Sequence, residues 1–182
     1  MSSKYKIRNH QALHFITFAV VRWIDALSRP GYKDIIIESL EYCIEHKGLS
    51  LYAYVIMNNH VHLIASAKEG FNLSNILRDL KKFTSKELLK IIESNVQESR
   101  KNWMMWLFKS EGSNNNNNKN YQFWQQDNRP IELSTNKMID QRLEYIHNNP
   151  VVEGIVFEAH HYKYSSAINY CGGKGLIKLE IL

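Results

Sequence analysis

The chain has 182 residues, 44% of them hydrophobic and 23% charged, which suits one folded domain with a sizeable core and excludes both wholesale disorder and a large multidomain assembly. Its 23 Lys and Arg against 18 Asp and Glu give a formal charge of +5, which favours a polyanionic partner without requiring one. The longest mostly apolar stretch, residues 15–21, falls far short of the ~20 residues of a membrane-spanning helix. With a polar, basic segment 1–8 and no apolar run behind it, the sequence predicts a cytoplasmic protein with no membrane role. Cys43 and Cys171 stand far apart and predict neither a disulfide framework nor a thiolate zinc site.

Residues 13–21, rich in Phe, Ile, Thr and Val, read as a strand. Residues 33–46 carry Ile36, Ile37, Leu40 and Ile44 at helical spacing, and Gly48 ends that helix. Residues 49–57 alternate through Leu51, Ala53 and Val55, and 60–67 is a second such run, so Asn58-Asn59 predicts the turn of a hairpin. A long helix follows over 72–92, with Leu73, Ile76, Leu77, Leu80, Phe83, Leu88 and Ile91 on one face and Arg78, Lys82, Lys86 and Lys90 recurring every fourth residue on another. Residues 110–120, Ser- and Asn-rich, predict a flexible loop. A short extended segment over 123–133, interrupted at Pro130, precedes a helix over 136–148 that Pro150 should end close to Asn149. The order strand, helix, strand, strand, helix, strand, helix predicts an α+β fold: a ferredoxin-like antiparallel sheet with helices packed on one face. The whole of 1–182 reads as a single domain, with a C-terminal extension from about residue 151.

His60-Val61-His62 is the most informative triplet, because residues two apart on a strand point to the same face. Two imidazoles there could hold one metal ion, or they could simply line a polar strand face. Tyr145 and Asn149, four residues apart, share one helix face. They could face a common object, or serve as an amphipathic core residue and a helix cap. His147 points away from that face. Together these positions predict that His60 and His62 lie on the sheet face turned toward the Tyr145 helix.

The stretches Tyr54-Val55-Ile56-Met57-Asn58-Asn59-His60-Val61-His62-Leu63-Ile64, Leu143-Glu144-Tyr145-Ile146-His147-Asn148-Asn149-Pro150-Val151 and Tyr162-Lys163-Tyr164-Ser165-Ser166-Ala167 closely resemble the REP-associated tyrosine transposases. These belong to the single-tyrosine HUH superfamily, named for its His-hydrophobic-His triplet. The resemblance runs from about Phe15 to Tyr170 with the motifs in family order. It implies an enzyme that cleaves and rejoins single-stranded DNA at hairpin-flanked sites, with Tyr145 as nucleophile and His60, His62 and Asn149 holding Mg²⁺ or Mn²⁺. Asn149 matches the REP-associated branch, since the insertion-sequence branch carries Gln there. Within the superfamily both monomers and homodimers occur, so either assembly is consistent with the resemblance.

The chemistry suits those residue types. Attack by a tyrosine hydroxyl exchanges one phosphoester for another, so the bond is stored in a covalent link and reversal by a second DNA hydroxyl rejoins strands. A free phenol, with a pKa near ~10, is a poor nucleophile at neutral pH, and a metal at the scissile phosphate would offset the developing charge. In this setting Arg78, Lys82 and Lys86, with Lys90, become candidate phosphate contacts where charge alone would make them a solvated helix face. Arg129 and the basic arm Lys4, Lys6 and Arg8 are further candidates. Tyr121 and Trp124 are candidate base-stacking residues, and Trp103, Trp106 and Phe108 are open between stacking and core. Two rival readings use the same residues. A non-catalytic module would bind DNA or RNA hairpins without cutting, and a metal hydrolase of a small phosphoester would leave Tyr145 structural.

Overall fold

Alternation of apolar residues along three stretches builds the centre of an antiparallel sheet in the computed structural model, which describes residues 6–114 and 120–182. The strands are β1 (His14–Ala19), β2 (Leu49–Ile56), β3 (His60–Ala67) and β4 (Ile131–Glu132), in the spatial order β2-β3-β1-β4. β3 is central and buried along its whole length. Asn58-Asn59 turns the chain between β2 and β3, with Met57 N donating to His60 O at 2.8 Å. In the β1–β3 register Thr17 stands opposite His62 and Phe15 opposite Ile64. Residues paired across a sheet share a face, so Phe15, Thr17, His60 and His62 lie together and Ile16, Phe18, Val61 and Leu63 lie on the other side.

Two helices cover the Phe18 side and pack against each other: α1 (Pro30–His46) and α2 (Leu73–Ser94). α1 opens on Pro30, whose fixed φ suits the first helical turn, and stops at Gly48, whose φ of +71° only glycine adopts freely and where a Cβ would strike the Phe71 ring. α2 begins with the Asn72 side chain accepting from Asn75 N at 3.0 Å and buries Leu73, Ile76, Leu77, Leu80, Thr84, Leu88 and Ile92. Trp124 ties the two layers, its indole N–H donating to Thr84 Oγ1 at 3.0 Å while its ring meets Phe18 edge-on. These helices take the one-sided placement that the element order predicts. α4 (Asn136–Val152) adds a second layer, crossing the sheet on the Phe15 side.

Four sequence expectations change. The stretch 110–113 is helical, because α3 (Lys101–Ser113) buries Met104, Phe108 and Gly112 at four-residue spacing; of the expected loop, residues 115–119 lie outside the described residues. Within 123–133 only Ile131–Glu132 forms a strand, together with an isolated pairing of Trp124 with Val20, since Pro130 has no N–H to pair and Arg129 takes a φ of +41°. Phe83 leaves the apolar face of α2 and is exposed beside Tyr42, over a groove between α1 and α2. α4 continues through Pro150 to Val152: the proline forgoes one hydrogen bond in the last turn, while buried Ile146, Asn149 and Pro150 hold the helix down and Pro150 O accepts from Ile155 N at 2.9 Å.

The free edge of β2 is covered by the chain beyond α4. Ile56 N donates to Tyr164 O and Ser166 N to Tyr54 O, each at 2.9 Å, and Tyr162 Oη donates to Ile56 O at 2.8 Å. This removes an exposed strand edge from the one side where it could pair with another chain. A short helix α5 (Ala167–Tyr170) follows.

Candidate active site

The β2–β3 turn fixes where β3 begins, and it is clamped from both sides. Lys33 Nζ donates to Asn58 Oδ1 at 2.9 Å, and Asn59 Nδ2 donates to Asp25 Oδ1 at 3.0 Å. Asn59 Oδ1 then accepts from His60 Nδ1 at 2.6 Å. Because an amide oxygen can only accept, Nδ1 carries the hydrogen and Nε2 of a neutral His60 keeps its lone pair. His62 Nδ1 is engaged by Thr17 Oγ1 at 2.7 Å, leaving Nε2 buried with no partner. The two imidazoles stand 4.6 Å apart, centroid to centroid.

α4 closes the site from above. Arg142, Tyr145 and Asn149 fall at three- and four-residue spacing on its sheet-facing side. The Tyr145 ring lies 5.2 Å from the His62 ring and 5.9 Å from Phe15, edge-on to both, and its residue is 46% exposed. Phe15 is the shared floor: it stacks on His62 at 5.2 Å and carries the Arg142 guanidinium 4.8 Å from its centroid. Asn149 is buried with Oδ1 unpartnered. Beside it opens a cavity of about 420 Å³ lined by Tyr145, Asn148, Asn149, Val152 and Glu153.

Burial favours the neutral form of both imidazoles. Burial lowers the pKa of His60, opposed by the adjacent Asn149 amide and the Glu153 carboxylate. Burial, then the neighbouring His60 and the Arg142 charge, push His62 down to about 3. Two buried polar atoms without a hydrogen-bond partner, His62 Nε2 and Asn149 Oδ1, stand beside His60, and the two imidazoles and the amide oxygen form a donor set suited to a divalent cation, since burying such atoms unpaired is otherwise costly.

The sequence candidates therefore divide. His60, His62, Tyr145 and Asn149 come together. Arg78, Lys82, Lys86 and Lys90 are exposed on α2, in the layer across the sheet from the histidines, and Arg78 is paired with Asp79 at 3.0 Å. Arg129 is exposed in the segment between Trp124 and β4. Trp124 and Phe108 are core, which removes Trp124 as a stacking surface, whereas Trp103 and Trp106 are exposed. Tyr121 is half-buried, Lys6 and Arg8 are exposed, and Lys4 lies outside the described residues. Tyr162 and Tyr164 are buried, the latter donating to Asp34 Oδ1 at 2.9 Å. His147 bonds Ser166 Oγ at 2.9 Å, away from the site.

Sequence reasoning missed Thr17, Asn59 and Arg142, whose roles depend on strand register and helix docking. Among the described residues a different group, Glu158, His160 and His161, also brings three metal-capable side chains within reach of one another, on the turn after α4. No described helix is long and apolar enough to cross a membrane.

The open four-stranded antiparallel sheet with its helices agrees with what comparison finds. Residues 10–109 match the family of IS200-like transposases, and the chain belongs to that family. The match takes in His60 and His62 and ends before α4, so Tyr145 and Asn149 rest on geometry. Among solved structures, the REP-associated tyrosine transposase bound to a REP hairpin superposes with a TM-score of 0.67 and 16% identity over 100% of this chain and 94% of that chain, which shows a shared fold. A Deinococcus radiodurans R1 protein described as a transposase gives a TM-score of 0.45 and 13% identity over 85% of this chain and 98% of that one. No curated protein matches.

Proposed function

We propose that this transposase-family chain cleaves and rejoins single-stranded DNA at hairpin-flanked sites through a covalent 5′-phosphotyrosine on Tyr145. The observation that carries the reading is the partly exposed Tyr145 hydroxyphenyl ring lying 5.2 Å from His62, beside two buried polar atoms without hydrogen-bond partners, His62 Nε2 and Asn149 Oδ1. Tyr145 Oη attacks the phosphorus, the P–O3′ bond breaks, the phenolic proton is lost to solvent and the leaving 3′ oxygen takes one proton back from solvent to become a hydroxyl. The 5′ phosphate stays on the tyrosine until a DNA 3′-hydroxyl reverses the exchange.

His60, His62 and Asn149 would hold Mg²⁺ or Mn²⁺, which when bound supplies positive charge to offset that developing on the phosphate. The chain's own residues prepare this. Asn59 orients His60 through Nδ1, and Thr17 Oγ1 holds the His62 ring through Nδ1, where it would accept from Nδ1–H once Nε2 turns its lone pair to a metal. Phe15 sets the tilt of His62 and Tyr145 together, and Arg142 stands over the same ring with a guanidinium suited to a non-bridging phosphate oxygen.

The reading is tested by incubating the protein and Mn²⁺ or Mg²⁺ with 3′-labelled hairpin oligonucleotides drawn from the DNA flanking its gene. A labelled protein band that survives denaturation is expected. Cleavage with a free 5′-phosphate and no adduct would make the protein a hydrolase, and binding without strand breakage would make it a recognition module.

A further inference from the structure

The link from β1 to α1 contains two consecutive non-glycine residues in the left-handed region, Arg22 and Trp23, each with a φ of 55°. Such a conformation persists only where surrounding contacts over-determine it, and here they do. Trp23 N donates to Val20 O at 3.0 Å, Arg22 Nε donates to Glu111 Oε1 at 2.8 Å, and Asn59 Nδ2 donates to Trp23 O at 3.2 Å. That asparagine is the one whose Oδ1 holds His60. One side chain thus sets both the His60 ring and the Trp23 backbone.

Glycine would relieve the backbone, and the core makes little use of the indole, which is 46% exposed. Its ring instead stands at the lip of the site, 5.6 Å from His60 at an interplanar angle of 62°. A rigid, flat, neutral surface in that place offers nothing specific to a phosphate. It offers a great deal to a nucleobase, whose π face stacks on indole whatever its sequence.

Resting on the reading above, we propose that Trp23 is a stacking platform for the base of the nucleotide adjoining the phosphate that Tyr145 attacks. A base still stacked inside a duplex cannot reach it, so the platform favours unpaired DNA at the cleavage point.

The test places 5-iodo-2′-deoxyuridine singly along a hairpin oligonucleotide from the DNA flanking the gene, binds it to Tyr145→Phe protein so that the strand stays whole, irradiates, and maps the cross-linked peptide by mass spectrometry. In parallel, single-turnover cleavage is compared for wild type, Trp23→Ala and Trp23→Phe, on normal DNA and on DNA abasic at the cross-linked position. Both variants keep an L residue at the strained position, so they differ from each other only in the ring. The expected results are a cross-link at Trp23 from one nucleotide adjoining the cleaved phosphate, a loss of about 5- to 150-fold in Trp23→Ala that Trp23→Phe largely restores, and no further loss when the abasic DNA meets Trp23→Ala. Cutting that is unchanged in Trp23→Ala, or a cross-link only elsewhere, overturns the platform and leaves the tyrosine chemistry standing. A cross-link at Trp23 in a protein whose wild type never cuts ends the cleavage reading, and overturns the platform's place beside an attacked phosphate while leaving Trp23 as a base contact.

Discussion

The two faces of one sheet are built from alternate residues of the same strands and could hardly differ more. On one side Ile16, Phe18, Val61 and Leu63 are sealed under α1 and α2. On the other, Phe15, Thr17, His60 and His62 meet a helix that brings a half-exposed tyrosine, a partly buried arginine and an unpartnered amide oxygen. The sealed face supplies the apolar burial that fixes strand register. The open face uses that register to hold polar groups in positions that stability alone would not favour.

The sharpest way to break this contrast is to exchange residues that are neighbours in β3. His60→Ala with His62→Ala should abolish cleavage, by at least about a thousandfold, while leaving hairpin affinity largely intact, because on the proposed reading the metal serves the scissile phosphate and affinity would come from many backbone contacts elsewhere. Leu63→Ala should instead cost about 2–5 kcal/mol in urea unfolding and leave the chemistry of the folded fraction unaltered. Equal loss of binding and cleavage in the histidine variant would dissolve the division of labour between the faces.

A finer cut is Thr17→Val, which keeps the shape and removes the hydroxyl at His62. Mn²⁺ affinity, measured by calorimetry, should fall about 10- to 100-fold, and an unchanged affinity would make Thr17 mere packing. On the sealed side, reversing Arg78, Lys82 and Lys86 to Glu should weaken DNA binding and flatten its salt dependence by roughly 0.7 to 0.9 log units per lost phosphate contact. An intact slope would confine DNA to the open face.

A last effect, read in stability and not in DNA chemistry, concerns Lys81, whose Nζ donates to Gln125 O and Asn128 Oδ1 at 2.7 Å and whose burial lowers its pKa from 10.5 to about 8. Between those values the unfolded chain holds a proton that the folded chain gives up, so stability rises with pH across that window, by up to ~1.4 kcal/mol per unit, and is flat below it. Urea unfolding at several alkaline pH values should show this rise in wild type, and Lys81→Met should lack it.

Much of this arrangement was legible in the sequence wherever the signal was local. Alternation through Leu51, Ala53 and Val55, the Asn58-Asn59 turn and the four-residue step from Tyr145 to Asn149 each carry their geometry within a few residues. What could not be read depends on partners distant in the chain. Thr17 meets His62 only through the β1–β3 register, and Trp124 is buried only because Phe18 and Thr84 close over it. α3 was hidden because exposed Trp103 and Trp106 blur the apolar period of Met104 and Phe108, and because its last turn lies in Ser- and Asn-rich sequence. Pro150 misled in the other direction: its local preference gave way to the burial of Ile146 and Asn149.

The central claim is that the open face exists to present one hydroxyl group. Tyr145→Phe removes that oxygen and keeps the ring that packs on Phe15 and His62. With a hairpin substrate that wild type cuts, the account predicts that strand cleavage and the denaturation-resistant adduct disappear together while the urea midpoint and hairpin affinity stay where they were. An adduct formed by the Tyr145→Phe protein would contradict it.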